Sequence, residues 1–183
     1  MRNFLTFFLL IFLTMAVTAQ QSLKEGNAAP QFSSPALNGQ VYDLNQLHGK
    51  VVVITFWSTK CAICHSEIPK LNQLVDRYKG REVVFLGLTM ENEDKVSNYL
   101  RSTPFNFTIV PNSFGTVLQY ADRDKSGNIN MGFPAYFLVD QTGEIQLKSS
   151  GWDKTPALDS KISNLLGTSG GGKAVAEMTS LPK

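Results

Sequence analysis

The chain has only two cysteines, Cys61 and Cys64, with two residues between them. They follow an apolar run, residues 51–57, and open a segment with helical periodicity. Unpaired backbone N–H groups and the helix dipole at a helix N-terminus stabilise a thiolate. Such placement lowers a cysteine pKa from about 8.5 to roughly 3.5–7.5, and the thiolate is the reactive form. The pair is therefore predicted to exchange between dithiol and disulfide.

Other uses of this cysteine pair are possible. A structural staple is one, but so short a loop removes little entropy from the unfolded chain. Because His65 follows Cys64, the pair also fits the c-type haem attachment pattern, with His65 on the iron. A buried strand leading into the motif and the surrounding α/β pattern argue against haem. Two thiols and His65 fall short of a closed tetrahedral site, so no metal is predicted.

The first 19 residues have the features of a secretory signal peptide. Arg2 is their only charged residue, an apolar run spans residues 4–17, and Ala19 is small enough for signal peptidase. The run is shorter than the ~20 residues that span a bilayer. We expect cleavage after Ala19 and export to the periplasm or cell envelope. A membrane anchor formed by residues 4–17 is the alternative.

The rest of the chain is long enough for one domain with a hydrophobic core. Its charges are nearly balanced, with 17 Lys and Arg against 15 Asp and Glu in the full chain. A nucleic-acid-binding protein has a basic excess that is absent here. No nucleic acid partner is therefore predicted.

Apolar periodicity predicts strands alternating with helices. Strands are predicted at residues 51–57, 82–88, 105–110, 134–139 and 144–150, and helices at 62–79, 92–101, 113–121 and 156–166. The turn pair Asn38-Gly39 predicts a β-hairpin over residues 32–43. Residues 122–130 are predicted as a polar loop and 168–183 as a flexible, Gly-rich tail. The pattern indicates an α/β fold with a central mixed β-sheet flanked by helices and an N-terminal β-hairpin extension.

The stretch over residues 56–69 resembles the active-site region of thioredoxin-like thiol-disulfide oxidoreductases. More narrowly, it looks like the exported branch with the TlpA and ResA proteins and the cytochrome c maturation thioredoxins. Residues 44–53 and 132–143 also look like that branch, and the resemblance covers residues 27–166. It implies a thioredoxin-like fold, protein thiols or disulfides as substrates, and a membrane thiol carrier as electron donor. It also implies a monomer with no cofactor other than the redox-active disulfide.

The resemblance assigns roles to several residues. Cys61 would be the attacking nucleophile and Cys64 the resolving thiol. Pro134 matches the proline that this family holds in the cis form beside the disulfide, a form that is uncommon elsewhere. There the Phe133 backbone could pair with an extended substrate strand. Trp57 matches the first active-site tryptophan, and is expected in substrate binding or in the core.

Some residues near the cysteines depart from relatives. Lys60 stands where many relatives have tryptophan, and its ammonium either stabilises the Cys61 thiolate or is a solvated charge. Thr55 stands where cytoplasmic thioredoxins have a buried aspartate, and it cannot shuttle a proton. Glu67 matches a glutamate of the exported branch. Burial disfavours the charged form of a carboxyl, so Glu67 is expected to accept or return the Cys64 proton. A capping or solvated glutamate is the alternative.

Two further functions share this fold. A peroxiredoxin needs proline and threonine where this chain has Ile54 and Ser58, so its motif fails. A binding module would keep the disulfide permanently closed.

The direction of exchange stays open, because known reduction potentials span roughly −270 to −120 mV. Ala62 and Ile63 lack the charge or histidine that would favour a stabilised thiolate, so a reductant is expected.

Overall fold

The computed structural model describes residues 22–178, with side chains to residue 167. The predicted signal peptide and residues 179–183 lie outside the described residues. Within residues 22–178, every helix is too short or too polar to cross a membrane.

The elements follow the predicted alternation. In chain order, the strands are β1 (Ser33–Pro35), β2 (Val41–Asp43), β3 (Val51–Phe56), β4 (Val83–Leu88), β5 (Thr108–Val110), β6 (Asp122–Arg123), β7 (Ile129–Asn130), β8 (Ala135–Val139) and β9 (Ile145–Ser150). The helices are α1 (Ala62–Arg77), α2 (Glu93–Leu100), α3 (Phe114–Tyr120) and α4 (Thr155–Met178), with a short 3-10 helix at Leu44–Leu47.

Five of these strands form the central sheet, in the order β5-β4-β3-β8-β9. β3, β4 and β5 are parallel, whereas β8 is antiparallel to both β3 and β9. The carboxyl ends of β3, β4 and β9 therefore lie at the same edge as the start of β8. Every residue of β3 is buried, as expected for a strand covered on both faces. The predicted mixed sheet and the N-terminal hairpin, β1 with β2, are confirmed.

Alternate residues of the central strands face two core layers. Val51, Val53 and Trp57 lie in the layer that contains the apolar face of α1, whereas Ile54 and Phe56 lie in the other. A side chain on Gly87 of β4 would force its neighbours to shift, because a Cβ there would lie 2.9 Å from Cδ1 of Ile109. The same Cβ would lie 3.2 Å from the indole nitrogen of Trp57. This glycine lets the tryptophan pack directly on the sheet.

The strand predicted over residues 105–110 is shorter in the structure. Phe105 and Phe107 are buried and Asn106 is exposed, which is the alternation of a strand. However, the Asn106 N–H donates to Oδ1 of Asn72 at 2.8 Å, and Nδ2 of Asn72 donates to the Pro104 carbonyl at 2.9 Å. A side chain of α1 thus takes the place of a strand partner, and pairing with β4 begins only at Thr108.

Two other segments differ from the prediction. The polar loop over residues 122–130 contains a small hairpin, in which β6 pairs with β7. The terminal helix α4 continues to Met178, beyond the end predicted at residue 166, and the flexibility predicted for residues 168–183 stays a prediction.

Candidate active site

Cys61 is the N-cap of α1, and its Sγ accepts a hydrogen bond from the Cys64 N–H at 3.1 Å. The two cysteines are joined as a disulfide. Cys61 is half-buried, whereas Cys64 is 2% exposed and belongs to the core. A substrate sulfur can therefore reach Cys61 but not Cys64. We expect this backbone donor at the helix N-terminus to favour the Cys61 thiolate in the reduced protein.

The loop before the cysteines is held by Glu91, which follows β4. The Thr59 N–H and hydroxyl donate to the two oxygens of the Glu91 carboxylate, each at 2.7 Å. Lys95 forms an ion pair with the same carboxylate. Burial acts to raise the pKa of Glu91, but hydrogen bonds from Lys95 and Thr59 outweigh it and hold the pKa below its ordinary value. Glu91 is a residue that the sequence analysis missed.

His65 lies against the same loop. Its Nε2 is 2.8 Å from the Thr59 carbonyl oxygen, and its ring packs on Tyr99 with centroids 5.0 Å apart. Because a carbonyl can only accept, Nε2 carries the proton in this contact. The nitrogen is thus engaged with the backbone, and the haem interpretation loses its iron ligand in this arrangement.

Lys60 is exposed, and its backbone N–H donates to Oγ of Ser58 at 3.2 Å. An exposed ammonium acts through water and is screened by salt. Its effect on the Cys61 thiolate stays a prediction.

Glu67 is completely buried, one helical turn after Cys64, so the alternative of a solvated glutamate is wrong. Its Oε1 accepts from Nζ of Lys70 at 3.1 Å, and its Oε2 accepts from the Asp153 N–H at 3.1 Å. The Tyr136 hydroxyl, which has no hydrogen-bond partner among the described residues, lies on the same side of the sheet. Burial, and then the negative charge of Glu67, raise the pKa of Tyr136, so this phenol stays neutral.

The Phe133–Pro134 peptide bond is cis, as the resemblance implied. Ala135 pairs with Phe56, so Pro134 comes at the end of β3 from which the cysteine loop departs. Pro134 is buried and its carbonyl accepts from the Gly151 N–H at 2.9 Å, whereas Phe133 is half-buried. The structure therefore brings this segment to the same sheet edge as the disulfide.

Trp57 is 1% exposed and packs on Tyr99 and Phe105, with ring centroids 5.7 and 5.3 Å away. A side chain with almost no exposed surface has none to offer a docked substrate. We therefore expect Trp57 to support the site from the core rather than to bind substrate.

Comparisons with known proteins agree with this geometry. The sequence profile of the Redoxin family matches residues 24–166. The chain is 31% identical over 130 residues to the thiol-disulfide oxidoreductase ResA of Geobacillus kaustophilus. This match covers 70% of this chain and 71% of that protein. ResA of Bacillus subtilis is 28% identical to the chain over 127 residues, and this match covers 69% of this chain and 67% of that protein. The crystal structure of the thiol:disulfide interchange protein DsbE from Chlorobium tepidum is 27% identical, covers 79% of this chain and 99% of that chain, and has a TM-score of 0.69.

The fold and the paired cysteines define a thioredoxin-like thiol-disulfide oxidoreductase. The chain belongs to the Redoxin family, and within the thioredoxin superfamily it is of the TlpA/ResA type.

Proposed function

We propose that this protein is an exported protein-disulfide reductase of the periplasm or cell envelope. The observation that carries the proposal is the unequal placement of the two sulfurs, with Cys61 accessible at a helix N-terminus and Cys64 enclosed in the core. The signal-peptide pattern in residues 1–19 supports export. ResA and DsbE, the relatives named above, support protein thiols or disulfides as substrates, and export would make these envelope proteins. Such substrates include apocytochrome c, misoxidised envelope proteins and other thioredoxin-like proteins.

The reaction starts from the dithiol. The Cys61 thiolate attacks one sulfur of a substrate disulfide, so that a mixed disulfide forms and one substrate thiolate leaves. Cys64 passes its proton to Glu67 and attacks the Cys61 sulfur, which releases the second substrate thiolate. Two electrons have moved to the substrate, and the Cys61–Cys64 disulfide is closed. A membrane thiol carrier supplies the dithiol that opens it again.

Phe133 and Pro134 are proposed to bind the substrate. They lie at the sheet edge where the cysteine loop departs from β3, and the Phe133 backbone precedes the first paired residue of β8. An extended substrate segment can add through main-chain hydrogen bonds to backbone that has no strand partner among the described residues. Lys60, exposed beside Cys61, is proposed to tune the thiolate.

The reduction potential tests the direction of exchange. We expect a value closer to the roughly −270 mV of thioredoxin than to the −120 mV of a strong oxidant, because Ala62 and Ile63 add no stabilising charge to the thiolate. Equilibration with dithiothreitol buffers, followed by alkylation and mass spectrometry, gives the potential. The reduced protein should also reduce insulin disulfides, and Cys61→Ser should not. A potential near −120 mV would indicate an oxidase, and a disulfide that dithiothreitol leaves closed would indicate a binding module.

Glu67→Gln tests the proposed proton acceptor. An amide cannot take the Cys64 proton, so exchange near neutral pH should slow by up to about 10²-fold, the low end for general acid-base help. The deficit should shrink as pH rises, because hydroxide then deprotonates Cys64 directly. The measurement is the pH profile of disulfide reduction, with circular dichroism to check the fold. Glu93→Gln, an exposed glutamate of α2, is the matched control. Superimposable profiles for Glu67→Gln and the native protein would reduce Glu67 to a structural residue.

A further inference from the structure

Lys70 connects the buried Glu67 to the protein surface. It lies one turn after Glu67 on α1, with Nζ 3.1 Å from Oε1 of Glu67 and 3.0 Å from Oδ1 of Asp153. The Glu67 side chain is 0% exposed, that of Lys70 is 41% exposed and that of Asp153 is 63% exposed. One ammonium therefore bridges a carboxylate that water does not reach and a carboxylate that water does reach.

The loop between β9 and α4 holds this bridge in place. Asp153 adopts a φ of 57°, in the left-handed region where aspartate is among the tolerated residues, and its N–H donates to Oε2 of Glu67. The neighbouring Trp152 places its ring centroid 5.6 Å from Nζ of Lys70, within cation–π range. The Lys70 ammonium is thus positioned by contacts with two consecutive residues of this loop, Trp152 and Asp153.

Lys70 is the cation that pairs with Glu67. Lys70 of its own helix and Asp153 of the loop contact Glu67, and the neutral phenol of Tyr136 on β8 lies near it. Cys64 lies one turn before Glu67 on the same helix, at a spacing that places the two side chains on one face. Among the described residues, Lys70 is the only positive side chain in a salt bridge with Glu67. Hydrogen bonds to Asp153 and then to Glu67 raise the pKa of Lys70, so it stays charged at neutral pH.

A buried carboxylate without a counter-charge takes up a proton rather than remain ionised. A protonated Glu67 could not accept the proton of Cys64. Conversely, once Glu67 has accepted that proton, a lysine with no other partner would lose its counter-ion. Asp153 provides that second partner at the surface.

We propose that Lys70 is a positioning residue for proton transfer: it supplies the counter-charge to the Glu67 carboxylate while the proton is on Cys64, and it keeps Asp153 as its partner once Glu67 has accepted that proton. The inference rests on the proposed function, in which Glu67 accepts the proton. In this step the S–H bond of Cys64 breaks and an O–H bond forms on Glu67. The freed thiolate attacks the Cys61 sulfur of the mixed disulfide, so the Cys61–Cys64 bond forms, the bond to the substrate sulfur breaks and the substrate thiolate leaves. The net charge of Glu67, Lys70 and Asp153 rises from −1 to 0 as the proton arrives.

A two-phase reaction with an aromatic disulfide, dithiobis-nitrobenzoate, separates the two sulfurs. The first coloured thiolate is released when Cys61 of the reduced protein attacks, and the second when Cys64 attacks the mixed disulfide. Lys70→Met should slow the second phase about tenfold at pH 7, below the usual range for general base help, and leave the first phase unchanged. The deficit should shrink as pH rises. Lys70→Arg, which keeps the charge, should restore the second phase.

Three further variants make the test specific. Glu67→Gln should slow the second phase, and adding Lys70→Met to it should slow that phase no further, because both changes act on one step. Lys50→Met removes the same charge from a surface pair with Glu82 and should leave both phases unchanged. If Lys70→Met does not fold, Lys70→Gln removes the charge while keeping a donor to Glu67, and the same slowing is expected.

The inference is overturned if Lys70→Met leaves the second phase intact, slows both phases alike, or slows the Glu67→Gln protein further. These outcomes are separate from a failure of the proposed function. That failure would show as a native protein that reacts with the aromatic disulfide in two phases but does not reduce insulin.

Discussion

Cys64→Ser is expected to stop turnover and to accumulate mixed disulfides between Cys61 and substrate proteins. Cys61 lies accessible at the N-terminus of α1 and can still attack, but the buried resolving sulfur is gone. The intermediate then persists until an external thiol cleaves it. In the native protein, Cys64 lies next to the Cys61 sulfur, as their disulfide shows, and intramolecular attack in such geometry corresponds to effective concentrations of about 10⁵ M or more. The loss should therefore stop turnover as completely as the loss of Cys61 does.

The measurement is a non-reducing gel of envelope extracts from cells that express each variant, followed by mass spectrometry of the trapped species. Cys61→Ser is the matched control, since it removes one sulfur from the same disulfide but leaves only the enclosed Cys64. It should trap no substrate. Equal trapping by both variants would contradict an ordered exchange that starts at Cys61.

The parts of the site that the sequence predicted are those encoded by neighbouring residues. Apolar residues 51–57 indicated a strand covered on both faces, and the cysteines after it indicated a helix N-terminus. Both are present as β3 and α1, with Cys61 as the N-cap. The cis bond before Pro134 was predicted by resemblance and is confirmed.

The parts that the sequence did not reveal depend on contacts between distant segments. Glu91 reaches Thr59 across 32 positions, and the Asp153 N–H reaches Glu67 across 86. The parallel pairing of β3 with β4 brings their carboxyl ends together, so an acidic residue soon after β4 was a usable signal for the first contact. The second contact depends on a loop residue with positive φ, and aspartate at such a position gives no sequence signal as strong as glycine would.

Trp57 shows how one residue can fit two interpretations in sequence and only one in structure. Its backbone extends β3, since its N–H donates to the Leu88 carbonyl at 3.0 Å. Its side chain lies on Gly87, where a Cβ would come within 3.2 Å of the indole nitrogen. The tryptophan therefore fills space between the sheet and two aromatic neighbours, directly before the loop that carries Cys61.

Trp57→Ala is expected to lower the free energy of unfolding by about 3–5 kcal/mol, the range for a fully buried aromatic side chain. Since whole domains are stable by only about 5–15 kcal/mol, this loss should be evident as an earlier midpoint in urea unfolding of the oxidised protein. Trp57→Phe keeps an aromatic ring in the layer and should cost less.

The kinetics of the folded Trp57→Phe protein distinguish a role of Trp57 in supporting the cysteine loop from direct contact with substrate. A core residue that only supports the loop should leave KM for insulin at its native value, and any loss should fall on kcat because the position of Cys61 is disturbed. If Trp57 instead bound substrate equally in the ground and transition states, its replacement would raise KM at unchanged kcat. Matched unfolding midpoints for Trp57→Phe and the native protein together with a raised KM would return Trp57 to the substrate-binding surface. The 1% exposure of the side chain leads us to expect the opposite result.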